Sequence, residues 1–113
     1  MANIQGFSGY ITQQNLSPDG KLFIAPSSDN TIRVWSIQEK KEIACFKGHK
    51  SNINFACFSP TGSLIASASD DKTVRLWQTD EKKECAVLRG HEKKVFFVSF
   101  SSDGYLISTV CED

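Results

Sequence analysis

The stretch SASDDKTVRLW, residues 67–77, decides how this chain is read. TVRLWQ (73–78) alternates and is rich in branched side chains, and LIASAS (64–69) is a second short apolar run. Asp70-Asp71-Lys72 between them is turn material, so the stretch predicts two strands joined by a tight turn. The same residues also raise a chemical question. With His49 upstream, Ser67 and Asp71 supply the three residue types of a serine-hydrolase triad.

Working outward, the surroundings of this stretch recur at a fixed interval. Gly48-His49 returns as Gly90-His91, Trp35 as Trp77, and LSPDG (16–20) as FSPTG (58–62) and FSSDG (100–104), each time after 42 residues. Residues 6–47 align with 48–89 without a gap at 16 of 42 identities, and 48–71 align with 90–113 at 9 of 24. Unrelated sequence gives roughly one identity in seventeen, so the chain is built by duplication. The organisation that follows is a lead-in over 1–5, a first repeat over 6–47, a second over 48–89 and a partial third over 90–113.

The second repeat carries four strand signals: INFACFS (53–59), LIASAS (64–69), TVRLWQ (73–78) and CAVLR (85–89). Turns at Pro60-Thr61-Gly62, at Asp70-Asp71-Lys72 and over TDEKKE (79–84) separate them. Four short strands joined by tight turns make an antiparallel meander. Such sheets stack face to face, because one small sheet cannot bury both of its apolar faces alone.

A Gly-His pair, an F-S-P-x-G turn and S-x-S-x-D-x-T-[IV]-R-[LV]-W at a spacing of 42 resemble the WD40-repeat family of β-propellers. The resemblance covers residues 6–113. It implies an all-β chain of propeller blades, here an incomplete ring, since propellers typically need four to eight blades. The third repeat stops before its tryptophan, so the chain is expected to be a segment or truncated product of a longer protein, with open blade edges that invite self-association.

The resemblance also answers the chemical question. In that family a His, a Ser or Thr, an Asp and a Trp form a hydrogen-bonded tetrad that ties one blade together. Carried over, the second repeat supplies His49, Ser67, Asp71 and Trp77. Strand parity favours Ser67 over Ser69, because pairing Ser69 with Thr73 brings Ser67 diagonally near Trp77. The third repeat supplies His91, Thr109 and Asp113. The first retains only Asp29 and Trp35, with Phe7 and Ala25 in the other two slots, and Pro26 interrupts its second strand. A catalytic serine would need an exposed Oγ on a sharp strand-to-helix turn, with oxyanion donors. Ser67 lies within a strand and lacks a G-x-S-x-G context, so no catalytic residue is expected.

Composition narrows the function further. Thirteen basic residues balance thirteen acidic ones along 113 residues, and the charges are scattered, which gives no footprint for nucleic acid or an anionic membrane. No apolar run reaches membrane-spanning length and no secretion signal opens the chain, so an intracellular, cytoplasmic location is expected, with the nucleus also compatible. Cys45, Cys57, Cys85 and Cys111 form no CxxC pair and sit in strand-like runs, which predicts reduced thiols and neither a metal site nor a cofactor.

Work is therefore expected at surfaces, with peptides or protein domains as partners. Family members often make contacts at the start of the inner strand and just before the tetrad Asp. Here those positions are Tyr10, Thr12 and Ser28; Asn52, Asn54 and Asp70; and Lys94, Phe96 and Glu112. Tyr10 and Phe96 stand out as potential anchors, Phe96 being equally suited to packing between blades. The favoured function is a non-catalytic interaction scaffold. The rival is a regulatory propeller piece of a larger ATPase or signalling enzyme.

Overall fold

A computed structural model of the chain describes residues 16–26, 29–89, 92–104 and 107–111. Within them are nine strands: β1 (Leu22–Pro26), β2 (Ile32–Ser36), β3 (Lys41–Phe46), β4 (Ile53–Phe58), β5 (Leu64–Ser69), β6 (Val74–Gln78), β7 (Lys83–Leu88), β8 (Val95–Phe100) and β9 (Ile107–Cys111). They form three antiparallel sheets in strict chain order, β1-β2-β3, β4-β5-β6-β7 and β8-β9. Leu16 adds an isolated antiparallel bridge to Phe23. The fold is all-β, with successive sheets stacked as blades that do not close into a ring.

Turn chemistry sets the strand ends. In the two S-P-x-G turns and the matching S-S-D-G turn, Gly20, Gly62 and Gly104 take φ of 74°, 82° and 79°, a region closed to most side chains. Each turn is locked the same way: Gly20 N–H donates to Ser17 O, Gly62 N–H to Ser59 O and Gly104 N–H to Ser101 O, all at 2.9 Å. These turns also touch across sheets. A Cβ on Gly62 would lie 3.2 Å from Pro18, and one on Gly104 3.7 Å from Pro60. Each proline leans on the glycine turn of the next sheet, so all three sheets run with the same polarity.

Packing follows strand parity. On the central sheet, Ile65 and Trp77 face the first sheet, joining Ile24, Ile32, Val34, Phe46, Ala56 and Phe58 in one buried layer. Ala66, Ala68 and Val74 face the third sheet, with Cys57, Val95 and Val98. Trp77 is 1% exposed and packs on Phe46 with ring centroids 5.3 Å apart. The contact joins an outer strand of one sheet to the third strand of the next; full burial of one such side chain contributes about 2–3 kcal/mol.

Two pairs of bulges break the regular registers. Between Ile53 and Phe55 the β4–β5 pairing shifts, leaving Asn54 as the extra residue, and Phe96 occupies the same position in β8. The pairings of β2 with β3 and of β6 with β7 shift likewise, at Ile43 and Cys85.

The last shift corrects the expected end of the charged turn. TDEKKE was expected to span 79–84, yet β7 begins at Lys83, and Glu84 pairs with Trp77 across the ladder. Edge strands tolerate charged side chains pointing outward, so charge alone did not mark a turn. Pro26 falls within the expected strand, as the last residue of β1, opposite Ile32.

Candidate functional site

The structure brings His49, Ser67, Asp71 and Trp77 together. Ser67 lies opposite Arg75 in the β5–β6 ladder, which puts Trp77 two residues further on the same face. Its indole Nε1–H donates to Ser67 Oγ at 3.0 Å. His49 Nε2 lies 2.6 Å from the same oxygen, and His49 Nδ1 lies 2.9 Å from Asp71 Oδ2. Because an indole can only donate, the serine proton is free for His49 Nε2, which leaves the imidazole proton on Nδ1, pointing at the carboxylate. Every polar atom in this buried chain then has a partner.

Asp71 is held from several sides. Its Oδ1 accepts the Thr73 hydroxyl at 2.5 Å and the Thr73 N–H at 3.0 Å, while Oδ2 also accepts the Lys50 N–H at 3.0 Å. Burial would push this carboxyl up, but the hydrogen bonds from Thr73, Lys50 and His49 outweigh it and keep the group well below the usual carboxylate range. On His49 burial outweighs the opposing pull of the Asp71 carboxylate alongside, and the imidazole falls below its ordinary 6.5. The pair is thus a neutral histidine donating to a carboxylate.

Support comes from residues around the four. Ser69 Oγ accepts the Asp71 N–H at 3.1 Å and donates to Asn52 O at 2.8 Å, which fastens the turn to the strand entering β4. Gly48 runs against the cluster: a Cβ there would sit 3.0 Å from the Trp77 ring and 3.1 Å from Arg75 and Glu84. The Gly-His dipeptide therefore pairs a close backbone approach with a polar plug. Arg75, buried beneath, is matched by Glu84 at 2.7 Å, a contact the β7 bulge makes possible.

The first repeat is wired differently. Asp29 accepts from Thr31 Oγ1 at 2.5 Å and pairs with Arg33 at 2.7 Å, and Arg33 also reaches Glu42 at 2.9 Å. The Thr31 bond, then Arg33, lowers the Asp29 pKa. Trp35 stacks on Phe23, 6.2 Å between centroids, but its buried Nε1 has no hydrogen-bond partner among the described residues. Ala25, opposite Arg33 as Ser67 is opposite Arg75, offers no oxygen to it. In the third repeat Thr109 lies in β9 opposite Val98. His91 and Asp113 lie outside the described residues.

Of the residues expected to meet partners, Asn52, Asn54, Asp70, Lys94 and Phe96 all fall at one end of the stack. They cluster where β4, β6 and β8 begin and β5 and β7 end. Tyr10, Thr12, Ser28 and Glu112 lie outside the described residues. Asn54 Nδ2 donates to Asp70 Oδ1 at 2.7 Å and to Val95 O at 2.9 Å, which staples the second sheet to the third. Phe96, at the equivalent bulge, is 44% exposed. At the opposite end, a groove of about 550 Å³ runs along the strand ends past Leu16, Pro18, Phe58, Pro60 and Phe100.

The sequence did not announce the bulges, the Asn54 staple or the Arg75–Glu84 pair; the 42-residue equivalence of Asn54 with Phe96 was the available signal. Among the described residues no cluster of His, Cys, Asp and Glu is placed to hold a metal ion, and no helix is long and apolar enough to cross a membrane. Cys45, Cys57 and Cys85 are free thiols, with Cys57 pushed up to about 11 by burial.

Comparison with known proteins adds a family and two relatives. The model of the family described as WD domain, G-beta repeat matches residues 1–36, 40–78 and 82–113. The matched stretches are offset from the sheets: the second contains β3 of one sheet and β4–β6 of the next. The chain is similar to "Transcriptional corepressor LEUNIG_HOMOLOG" of Arabidopsis thaliana, 39% identical over 49% of this chain and 7% of the relative. It is also similar to "General transcriptional corepressor TUP1" of Saccharomyces cerevisiae, 36% identical over 39% of this chain and 6% of the relative. The chain thus spans a small fraction of either relative's length.

Proposed function

The chain belongs to the WD domain, G-beta repeat family, and from that premise we propose that it is a non-catalytic protein-interaction segment. It holds peptides or protein domains through the loops at the end of the stack where Asn52, Asp70, Lys94 and Phe96 lie. The observation that carries this reading is the fate of the reactive residue types. Ser67 is 0% exposed, its oxygen already accepts the Trp77 indole and its proton faces His49. No substrate can reach that hydroxyl without dismantling the sheet, whereas Phe96 stands open to a partner.

The role of His49, Ser67, Asp71 and Trp77 in this proposal is to fasten the second blade and hold the neighbouring loops in place. Both relatives are named as transcriptional corepressors. Their names favour an intracellular assembly, with the nucleus as its site, over a segment of an ATPase or signalling enzyme.

A photo-crosslinking residue placed at Phe96, and separately at Lys40 on the opposite end, tests the proposal in the full chain exposed to nuclear and cytosolic extract. Discrete protein adducts from position 96 and none from position 40 are expected. Adducts from position 40 alone, or equally from both, would refute the assignment of the binding end.

A further inference from the structure

Three turns of the chain share one backbone lock and differ at one side chain. Ser17-Pro18-Asp19-Gly20, Ser59-Pro60-Thr61-Gly62 and Ser101-Ser102-Asp103-Gly104 each close with the glycine N–H on the serine carbonyl at 2.9 Å. In the first, Asp19 Oδ1 accepts the Ser17 hydroxyl at 2.6 Å and the Lys21 N–H at 3.0 Å, and these bonds hold the carboxyl below its ordinary 3.8. In the third, Asp103 Oδ1 accepts the Ser101 hydroxyl. An anion is thus the acceptor around which the first and third turns are built.

The second turn has the same donors and no anion. Thr61 stands where the others carry aspartate, and its Oγ1 lies 3.5 Å from both Ser59 Oγ and the Ser63 backbone nitrogen, where a hydrogen bond is weak. Ser59 Oγ already accepts the Leu64 N–H at 3.1 Å, as Ser17 Oγ accepts that of Leu22 at 3.0 Å. Its proton therefore remains to be donated, as the Ser17 proton is to Asp19. Among the described residues only the Ser63 hydroxyl comes close to Thr61 Oγ1, at 2.9 Å.

Access separates Thr61 from the hydroxyls around it. Ser17 and Ser59 are 8% and 3% exposed, and Thr79 is half-buried with its hydroxyl on Gly62 O at 2.6 Å. Thr61 is exposed, in a turn that follows Phe58 at the end of β4 and precedes Leu64 at the start of β5. Ser63 is exposed as well, yet its counterpart in the first turn is Lys21 rather than an acid.

We propose that Thr61 is a phosphorylation site, its phosphate supplying the anion that Asp19 and Asp103 supply in the equivalent turns. A protein kinase carries out the step with a nucleoside triphosphate. Thr61 Oγ1 bonds to the γ-phosphorus, the bond from that phosphorus to the departing diphosphate breaks, and the hydroxyl proton passes to the kinase's base. The phosphate's acceptor oxygens lie one bond further from Cβ than those of a carboxylate, which lets them close the gaps to Ser59 and Ser63. A groove of about 480 Å³ beside the turn presents Lys82 in favour of the added charge and Asp19 and Asp80 against it. Exposed charges there are screened, so the direct bonds to the anion decide the sign, and the modified turn is the tighter one.

The test has two arms, both on the full chain. Incubation with magnesium, ATP and cytosolic extract, read by tandem mass spectrometry, is expected to place phosphate on residue 61 and to lose it in Thr61→Val. Phosphate on Ser63 or Ser102 without residue 61, or none at all, overturns the site. The second arm measures what the turn gains from an anion. Thr61→Asp should raise the melting temperature by about 3 °C, the size of shift that one charge-assisted hydrogen bond gives, and neutral Thr61→Asn should fall well short of it. An aspartate variant that melts no higher than the asparagine one overturns the inference whatever the first arm gives. Both arms lie away from Phe96, so their failure leaves the crosslinking test of the binding end untouched.

Discussion

The indole N–H of Trp77 meets the hydroxyl of Ser67 at 3.0 Å, whereas that of Trp35, one repeat earlier, is buried with no acceptor among the described residues. The two tryptophans occupy equivalent strand positions, opposite Ile65 and Phe23 respectively. What differs is one oxygen, present at Ser67 and absent at Ala25. The blades are thus built on one backbone plan and fastened to different degrees.

That contrast predicts a stabilising substitution. Ala25→Ser would place a hydroxyl diagonally from Trp35 Nε1, in the geometry Ser67 has with Trp77. Satisfying a buried donor should raise unfolding free energy by about 1 kcal/mol. A urea titration of the variant against the parent chain reads the change directly; an unchanged or lower midpoint would show that Trp35 Nε1 is not reached from position 25.

Within the second blade, single deletions should be costly and their combination less so than the sum. Ser67→Ala strands both the Trp77 donor and His49 Nε2, and His49→Phe strands the Ser67 proton and an Asp71 oxygen. Each should destabilise by about 2–4 kcal/mol. The double variant reproduces the Phe-and-Ala pattern of the first repeat and removes partners together, so the coupling should be about 1 kcal/mol or more in the compensating direction. Strict additivity would mean that the two groups act independently.

Stability should fall as pH drops, in two stages. His49 binds its proton less readily when folded than at its ordinary 6.5, so below that value the unfolded chain takes up more protons and unfolding becomes easier. Asp71 is likewise lowered from 3.8, so its contribution is complete above that value and is lost as pH falls below it. Both effects share a sign: stability rises with pH through each window. Urea midpoints followed from pH 7 to pH 5 should decline, and His49→Gln should flatten that decline. A decline that persists undiminished in the variant would assign it to other groups.

Backbone strain offers a further handle far from the polar cluster. Lys40 is exposed in the turn between β2 and β3 with φ of 57°, a conformation that a side chain disfavours. Lys40→Gly should therefore stabilise by about 0.5–1 kcal/mol, glycine's greater freedom when unfolded taking back part of the relief. Thermal melts of the two chains compare this simply, and a lower melting point would refute the strain argument.

Much of this was legible because it is local or periodic. The hairpin around Asp70-Asp71-Lys72 follows from turn residues and alternation, and the grouping of His49 with Ser67, Asp71 and Trp77 from the resemblance to the WD40-repeat family that the 42-residue repeat brought out. The bulges at Asn54, Phe96, Ile43 and Cys85 were not legible, because a bulge is a property of two paired strands rather than of either alone. The early start of β7 was hidden by Lys83 and Glu84, whose charges suit an edge strand as well as a turn.

The account stands on Ser67 being an inward fastener for Trp77 rather than a group open to solvent. With only two tryptophans in the chain, the indole N–H resonances can be told apart by nuclear magnetic resonance, and hydrogen exchange at Trp77 Nε1 tests the point. Protection matching the slowest backbone amides of β5 and β6, and sharply reduced by Ser67→Ala, is the predicted result. Exchange of that indole proton within the dead time at neutral pH, as for an open tryptophan, would contradict it.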